Sequence, residues 1–248
     1  MSMDSYTILA EYYDQLTADV NYVRWADYIQ RQFARHKRPI RTVAELACGT
    51  GSLARELALR GYSVIATDLS PDMLSVAAEK CEGLDVLLLC QDMAKLNLAR
   101  PVDAVVCCLD SVNYVTRPAQ LRRAFERVFR ALAPGGLFLF DAKTPLALEG
   151  ADGQVYLDET EDVFCVWRGE YFPRRRTCGY GIDLFARQPD GSWLRGGEYH
   201  EEYAYTLEEL RGFLDEAGFQ DIRTYGELKL TPPGAEAQRV FFTARKDN

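Results

Sequence analysis

The segment 42–68 constrains the fold more than most other segments of this chain. An apolar run ends at Gly49 and Gly51, a helical pattern follows from Ser52, and a second apolar run ends on Asp68. Glycines let the backbone turn sharply and approach a ligand closely, and a carboxylate at the end of the next strand can accept both hydroxyls of a ribose. The segment therefore predicts a nucleoside-binding crevice at the carboxyl edge of an open parallel sheet.

The same alternation continues through the first 150 residues. Near-continuous apolar runs separated by amphipathic patterns predict an α/β fold, with a parallel sheet covered by helices on both faces. The predicted strands are Thr42–Cys48, Ser63–Asp68, Asp85–Cys90, Val102–Leu109 and Leu137–Asp141. A long helical stretch is predicted from Ser5 to Arg35. The helices predicted between the strands are Ser52–Arg60, Pro71–Cys81 and Pro118–Leu132.

The pattern changes between residues 151 and 205. Strand-like runs at Val163–Tyr171, Gly179–Arg187 and Trp193–Tyr205 predict an antiparallel meander. Beyond it, Thr206 and Glu209 form the signature of a capping box at a helix start, and two final strand-like runs follow at Ile222–Tyr225 and Val240–Ala244. We therefore predict a core of residues 1–150 and 206–248, in which 1–38 form a helical lid, and an antiparallel β insert at 151–205 that caps the substrate.

Composition excludes several classes of function. A net charge of -8 disfavours a nucleic-acid partner. No apolar stretch approaches the roughly 20 residues of a membrane span, and the acidic N-terminus does not have the pattern of a signal peptide, so we expect a cytoplasmic protein that does not bind membranes. The seven cysteines include no C-x-x-C pair and only two histidines are present, which predicts buried free thiols and no metal. We expect a monomer or a homodimer.

The glycine loop alone does not identify the nucleoside. Residues 49–54 also satisfy the G-x-G-x-x-A fingerprint of NAD-binding folds. The wider segment Glu45–Gly51, E-L-A-C-G-T-G, resembles motif I of the class I S-adenosylmethionine (SAM)-dependent methyltransferases. Three later segments resemble that family's succeeding motifs in the expected order: Ala66–Leu74, Gln91–Met93 and Ala133–Leu137.

This resemblance implies a fold and a reaction. The fold is a Rossmann-like seven-stranded mixed sheet whose final hairpin contributes one antiparallel strand. The reaction moves a methyl group from SAM to an O or N nucleophile of a small molecule by in-line displacement and leaves S-adenosylhomocysteine. Two other readings are an NAD-linked oxidoreductase that uses the same loop and a non-catalytic SAM-binding partner protein. The second of these is disfavoured because the glycines and Asp68 are intact.

The resemblance also assigns cofactor contacts. Asp68 binds the ribose, while the alternative role of helix N-cap is better filled by Ser70. Asp92 receives the adenine amino group, or else is a solvated loop residue. Glu45 either orients the loop and reaches the methionine ammonium through water, or occupies a half-exposed strand position. The remaining predicted contacts lie in the glycine loop, around the adenine ring, at the amino acid end of SAM and in the lid. They are Ala47, Cys48, Gly49, Gly51, Leu69, Met73, Gln91, Met93, Leu109 and Tyr13.

Tyr13 belongs to a segment, Tyr12–Leu16, that resembles the Y-D-x-L segment with which small-molecule methyltransferases cover bound SAM. An aromatic ring over the sulfonium would exclude water and add a cation–π attraction. For the acceptor we predict contacts beyond the fourth strand and in the insert, from Asp110, Asn113, Tyr114, Tyr171 and His200. His200 is the candidate base because histidine is the residue type best suited to proton transfer near neutral pH, although an ordinary exposed strand histidine has the same pattern.

Overall fold

The computed structural model describes residues 7–247 and contains two β-sheets. The strands of the larger sheet are β1 (Thr42–Leu46), β2 (Ser63–Asp68), β3 (Val86–Cys90), β4 (Val102–Cys107), β5 (Leu132–Lys143), β10 (Gln220–Gly226) and β11 (Arg239–Arg245). The smaller sheet consists of β6 (Val155–Glu159), β7 (Val163–Phe172), β8 (Thr177–Arg187) and β9 (Trp193–Tyr203). The helices are α1 (Thr7–Leu16), α2 (Tyr22–Ala34), α3 (Ser52–Leu59), α4 (Pro71–Lys80), α5 (Pro118–Ala131), α6 (Pro145–Gly150) and α7 (Leu207–Ala217).

The larger sheet has the strand order β10-β11-β5-β4-β1-β2-β3. Strands β1 to β5 are parallel, and β11 runs antiparallel to both β5 and β10. The chain builds outward from β1 to β3 and then returns to the other side of β1 with β4. This reversal between β1 and β4 is the topological switch point, where open α/β sheets bind ligands. The predicted Rossmann-like mixed sheet is confirmed.

Helices cover both faces of this sheet, as predicted. Alternate strand residues face opposite sides, so Phe138, Phe140 and Phe242 join one buried cluster beneath α5 and α7. Their neighbours, such as Phe241, join a second cluster with α2 and α3. Phe241 is fixed there by Tyr28, whose ring centroid lies 4.6 Å away.

The N-terminal segment differs from the continuous helical stretch predicted between Ser5 and Arg35, of which Ser5 lies outside the described residues. The chain breaks between α1 and α2, and Asn21 caps α2 by accepting a hydrogen bond from the Arg24 N–H at 2.9 Å. Helical periodicity continues through the break because both helices have an apolar side. The capping asparagine is the local signal that marks the new start.

The insert contains the predicted antiparallel meander with one strand more than expected. The first strand, β6, pairs with β7 and exposes Val155, Tyr156 and Leu157, so it has no clean alternation of apolar and polar residues. The short helix α6, capped by Thr144, was also not predicted. In the core, β5 extends at both ends beyond the predicted Leu137–Asp141.

The cysteines and the lengths of the helices can be compared with what composition predicts. All seven cysteines are free; six are buried and Cys90 is exposed, which departs from the expectation of uniformly buried thiols. Within residues 7–247, no helix combines the length and apolar character needed to cross a membrane.

Candidate cofactor and acceptor sites

The glycine loop opens the crevice at the end of β1. Gly49 has a φ of 54°, and a Cβ placed on it would meet nothing within 4 Å. Gly51 has a φ of 76°, and its Cβ would lie 2.9 Å from the Cβ of Ala77. Gly51 therefore allows α3 and α4 to pack closely, whereas Gly49 leaves space for a ligand beside the backbone.

Asp68 is held in place by the loop it faces. Its carboxylate accepts a hydrogen bond from the Gly49 N–H at 2.8 Å and another from the Ser70 N–H at 2.9 Å. Ser70 caps α4 by accepting from the Met73 N–H, so Asp68 is not the cap. Burial raises the pKa of Asp68, and these backbone donors oppose that rise. The arrangement suits a carboxylate that receives two hydroxyl protons.

Glu45 is buried, with 3% of its surface exposed, which excludes the half-exposed alternative. Its Oε2 has no hydrogen-bond partner among the described residues. Burial, together with the nearby charge of Asp68, raises the pKa of Glu45 to about 8. An unpaired buried carboxyl group is costly to the fold, and a positively charged ligand would offset that cost.

The predicted adenine pocket lies across the ends of β2 and β3. Asp92 accepts from the Ala94 N–H at 2.8 Å and so starts a single 3₁₀ turn. Gln91 exchanges two hydrogen bonds with the backbone of Asn97, which fixes the loop. Met73 is buried, Met93 packs against the core beneath α5, and Leu69 is exposed. These hydrogen bonds and packing contacts fix the loops that follow β2 and β3. The contacts of the side chains with adenine remain predictions.

Helix α1 lies across the glycine loop. Asp14 accepts from the Thr50 hydroxyl at 2.7 Å and pairs with the Lys80 ammonium at 2.6 Å. Burial raises the pKa of the neighbouring Tyr13 phenol, and the negative charges of Asp110 and Asp68 raise it further. The charges of Asp68 and Asp110 both act on Tyr13, so its hydroxyl lies near the ends of β2 and β4; its position over bound SAM remains a prediction.

A chain of buried charges follows β4. Leu109 and Asp110 both have positive φ, 59° and 53°, which turns the Asp110 side chain back toward the sheet edge. Asp110 pairs with Lys143 at 2.9 Å and with Arg239 at 2.7 Å. These two cations lower its pKa to about 2.

Two further carboxylates complete this chain of charges. Arg239 also binds Asp141, and Lys143 also binds Glu202 at 2.9 Å. Burial raises the pKa of Asp141 to about 6 and that of Glu202 to about 7. Since Glu202 belongs to β9, the charges of the sheet edge continue into the insert.

Asn113 and Tyr114, predicted to contact the acceptor, lie beside this junction. Asn113 is fully buried, and its side chain bonds the backbone of Lys143 and the carbonyl of Tyr203. Its contacts therefore join β5 to β9. The Tyr114 ring packs edge-on against His200, with centroids 5.9 Å apart.

A cavity of about 460 Å³ lies between this edge and the insert. Its walls come from α1, the ends of β5 and β11, and the inner face of the smaller sheet. The residues that line it include Leu16, Asp19, Lys143, Tyr156, Asp158, Trp167, Tyr180, Glu227 and Arg239. The size and position suit a small acceptor next to the cofactor crevice.

His200 and Tyr171 lie outside the lining of this cavity. His200 is buried on β9, where Nε2 lies 2.8 Å from a Glu198 carboxylate oxygen, and its ring packs against the lining residue Trp167. The alternative of an exposed strand histidine is wrong. Tyr171 contacts Glu149 of α6 through its hydroxyl. The acceptor contacts of both residues remain predictions.

Sequence reasoning did not identify Lys143 or Arg239. Lys143 lies two residues beyond the predicted end of its strand, and Arg239 precedes the predicted start of Val240–Ala244. The signal was present in the topology, because an antiparallel last strand begins at the edge where its parallel neighbours end. A charged residue at that start lies at the ligand-binding edge.

A crevice at the switch point, a glycine loop and a carboxylate at the end of β2 are features of the class I SAM-dependent methyltransferases, and the chain belongs to this family. A methyltransferase-domain family matches residues 43–136. Family membership decides against the NAD-linked alternative.

Several relatives resemble the chain. The putative methyltransferase YqeM of Bacillus subtilis is 31% identical, over 97% of each chain. The crystal structure of a SAM-dependent methyltransferase from Clostridium acetobutylicum is 29% identical, with a TM-score of 0.87 over 98% of this chain and 99% of that one. A dTDP-3-amino-3,6-dideoxy-alpha-D-glucopyranose N,N-dimethyltransferase of Streptomyces fradiae is 30% identical over 54% of this chain and 52% of its own.

The residues of the crevice fit SAM. Gly49 leaves open space at the loop, and the unpartnered Glu45 oxygen supplies a buried acceptor for a cationic ligand. Asp68 would hold the ribose, and the backbone of Ala47 and Leu109 would hold the amino acid end. When bound, SAM supplies a methyl group already attached to a sulfonium leaving group.

Replacing Asp68 with alanine should weaken SAM binding by roughly 1–3 kcal/mol, because charge-assisted hydrogen bonds to the ribose are lost. Titration calorimetry measures the change. Asp85→Ala, at an exposed position on the opposite edge of the sheet, is the control and should bind normally. Unchanged affinity in the Asp68 variant would refute the assignment.

Replacing Glu45 with glutamine should stabilise the ligand-free protein increasingly as pH rises. The folded state holds the Glu45 proton up to a pKa of about 8, well above its ordinary value, so native stability falls as pH rises from about 4.5 to about 8. At pH 9 the variant should gain roughly 2–5 kcal/mol, and near pH 4 almost nothing. Urea unfolding at both pH values tests this, and a gain independent of pH would contradict it.

Proposed function

We propose that this methyltransferase acts on an amine nitrogen of a small molecule. The observation that carries the proposal is the lining of the 460 Å³ cavity. Its two cations, Lys143 and Arg239, are already matched by buried carboxylates. Asp19 and Asp158 form no ion pair with the residues that the structure describes, and Glu227 lies 3.8 Å from the Arg239 guanidinium. The cavity therefore presents a negative surface.

Aromatic walls add to this preference. Tyr156, Trp167 and Tyr180 come from three neighbouring strands and line the cavity. The Tyr180 ring already carries the Lys143 ammonium, 5.3 Å from its centroid, so Tyr156 and Trp167 are the rings left for a ligand. Aromatic faces attract cations, and carboxylates nearby increase that attraction. The combination is typical of a site that receives an ammonium or an alkylammonium group. The sugar amine named for the Streptomyces fradiae relative agrees with this class of acceptor.

The residues of the chain have simple tasks in this reaction. Methyl transfer needs a nucleophile aligned with the methyl carbon, and alignment with water exclusion contributes ~7–11 kcal/mol. Helix α1 covers the crevice, and the insert supplies the opposite wall. An ammonium acceptor must lose a proton before its lone pair attacks. His200, the base predicted from the sequence, lies behind Trp167 and outside the cavity lining, so we propose that it receives this proton through a bridging water and not by direct contact.

A paired screen of compounds tests the proposal. The protein is incubated with SAM and a series of amines, including amino sugars, and with the hydroxyl analogue of each amine. Release of S-adenosylhomocysteine should occur with amines and not with their hydroxyl analogues. Turnover confined to the hydroxyl series, or to nucleic acid, would overturn it.

Replacing Asp158 with asparagine and Glu227 with glutamine together should raise KM for a turned-over amine about tenfold, since two carboxylates that attract the cation are neutralised. SAM affinity should not change. Glu170→Gln, exposed on the outer face of β7, is the matched control. Equal KM values in the double variant and the control would contradict the role of these carboxylates.

Replacing His200 with asparagine should lower kcat for the same amine while SAM affinity stays almost unchanged, because the base lies on the acceptor side. The loss should diminish at high pH, where the amine is already deprotonated. His36→Asn, at the other histidine, serves as control. A loss independent of pH, or an equal loss of SAM binding, would show that His200 supports the fold instead.

A further inference from the structure

Lys80, the last residue of α4, joins the lid to the glycine loop. Its ammonium lies 2.6 Å from the Asp14 carboxylate, 2.9 Å from the Thr50 hydroxyl and 2.7 Å from the Ser52 hydroxyl. Thr50 also donates to Asp14 at 2.7 Å. The three partners of the ammonium are therefore oxygen atoms of α1, of the glycine loop and of the first residue of α3.

The other side of α1 contacts the insert. Leu16 lies in a buried cluster with Val163, Cys165 and Ile182, and Tyr13 packs against the same cluster. The helix thus bridges the core and the insert. Leu16 and, after it, Asp19 also line the acceptor cavity.

The contact between Lys80 and Asp14 differs from an ordinary surface ion pair. Isolated exposed pairs contribute little because both side chains remain mobile. Here the Lys80 side chain is 19% exposed and is fixed by two hydroxyls, one of which belongs to the buried Thr50. The Asp14 side chain is 43% exposed, so the polar contact can open without disturbing the core.

We propose that Lys80 is a positioning residue for the cofactor. Through Asp14 and Thr50 it holds α1 closed over the glycine loop, so that SAM leaves only when this contact opens. The same closure completes the acceptor cavity with Leu16 and Asp19. The inference rests on the SAM site and is independent of the chemistry of the acceptor.

Release of cofactor tests this directly. Radiolabelled SAM is bound to the full chain and chased with excess unlabelled S-adenosylhomocysteine. Lys80→Gln and Asp14→Asn should each speed release about five- to twentyfold, since each breaks the same charged contact. The double variant should release no faster than the faster single variant, because the two side chains act as one unit. Lys80→Arg should retain slow release.

Hydrogen exchange without cofactor gives a second readout. Residues 7–16 should exchange faster in Lys80→Gln and Asp14→Asn, while β1 exchanges as in the unmodified protein. Arg122→Gln, which removes an exposed ion pair with Glu216, is the matched control and should change neither measurement. Unchanged release in both variants, additive effects in the double variant, or faster release without faster exchange of α1 would overturn the proposal.

Discussion

The buried chain of charges from Asp141 through Arg239, Asp110 and Lys143 to Glu202 is the interaction on which the site depends. Burying charges is tolerable only when they are paired with good geometry. Here the pairing has a spatial consequence, because its members come from the turn after β4, from β5, from β11 and from the insert. One cluster therefore fixes the end of the switch-point strand and the wall of the acceptor cavity together.

The sequence predicted the parts of the fold that follow local rules. Strand β1, Gly49 and Asp68 were recognisable because the strand, the glycine turn and the carboxylate at the end of the next strand occur within one short segment. The charge pairs were not recognisable, since Lys143 and Arg239 become neighbours only when β11 pairs with β5. Register between distant strands is a tertiary property. The same reason explains why the buried position of His200 was not foreseen.

The break between α1 and α2 shows a different limit. Both helices have the apolar periodicity of a single long helix, yet they pack on different partners. Helix α2 packs on the sheet through Trp25 and Tyr28, whereas α1 packs on the insert through Leu16. Periodicity reports that a face is buried and does not report against what. An N-terminal helical segment that packs on both the larger sheet and the insert must change direction between them. The short segment ending at Asn21 allows this change.

Two carboxylates, Glu45 and Asp68, face the crevice without a cationic side chain between them among the described residues. Because burial and the charge of Asp68 hold the Glu45 proton up to a pKa of about 8, a cationic ligand beside this pair competes with that proton for the Glu45 carboxyl group. Binding of such a ligand is therefore coupled to the release of a proton, and the acidic pair that the fold buries in its first two strands makes occupancy of the crevice depend on pH.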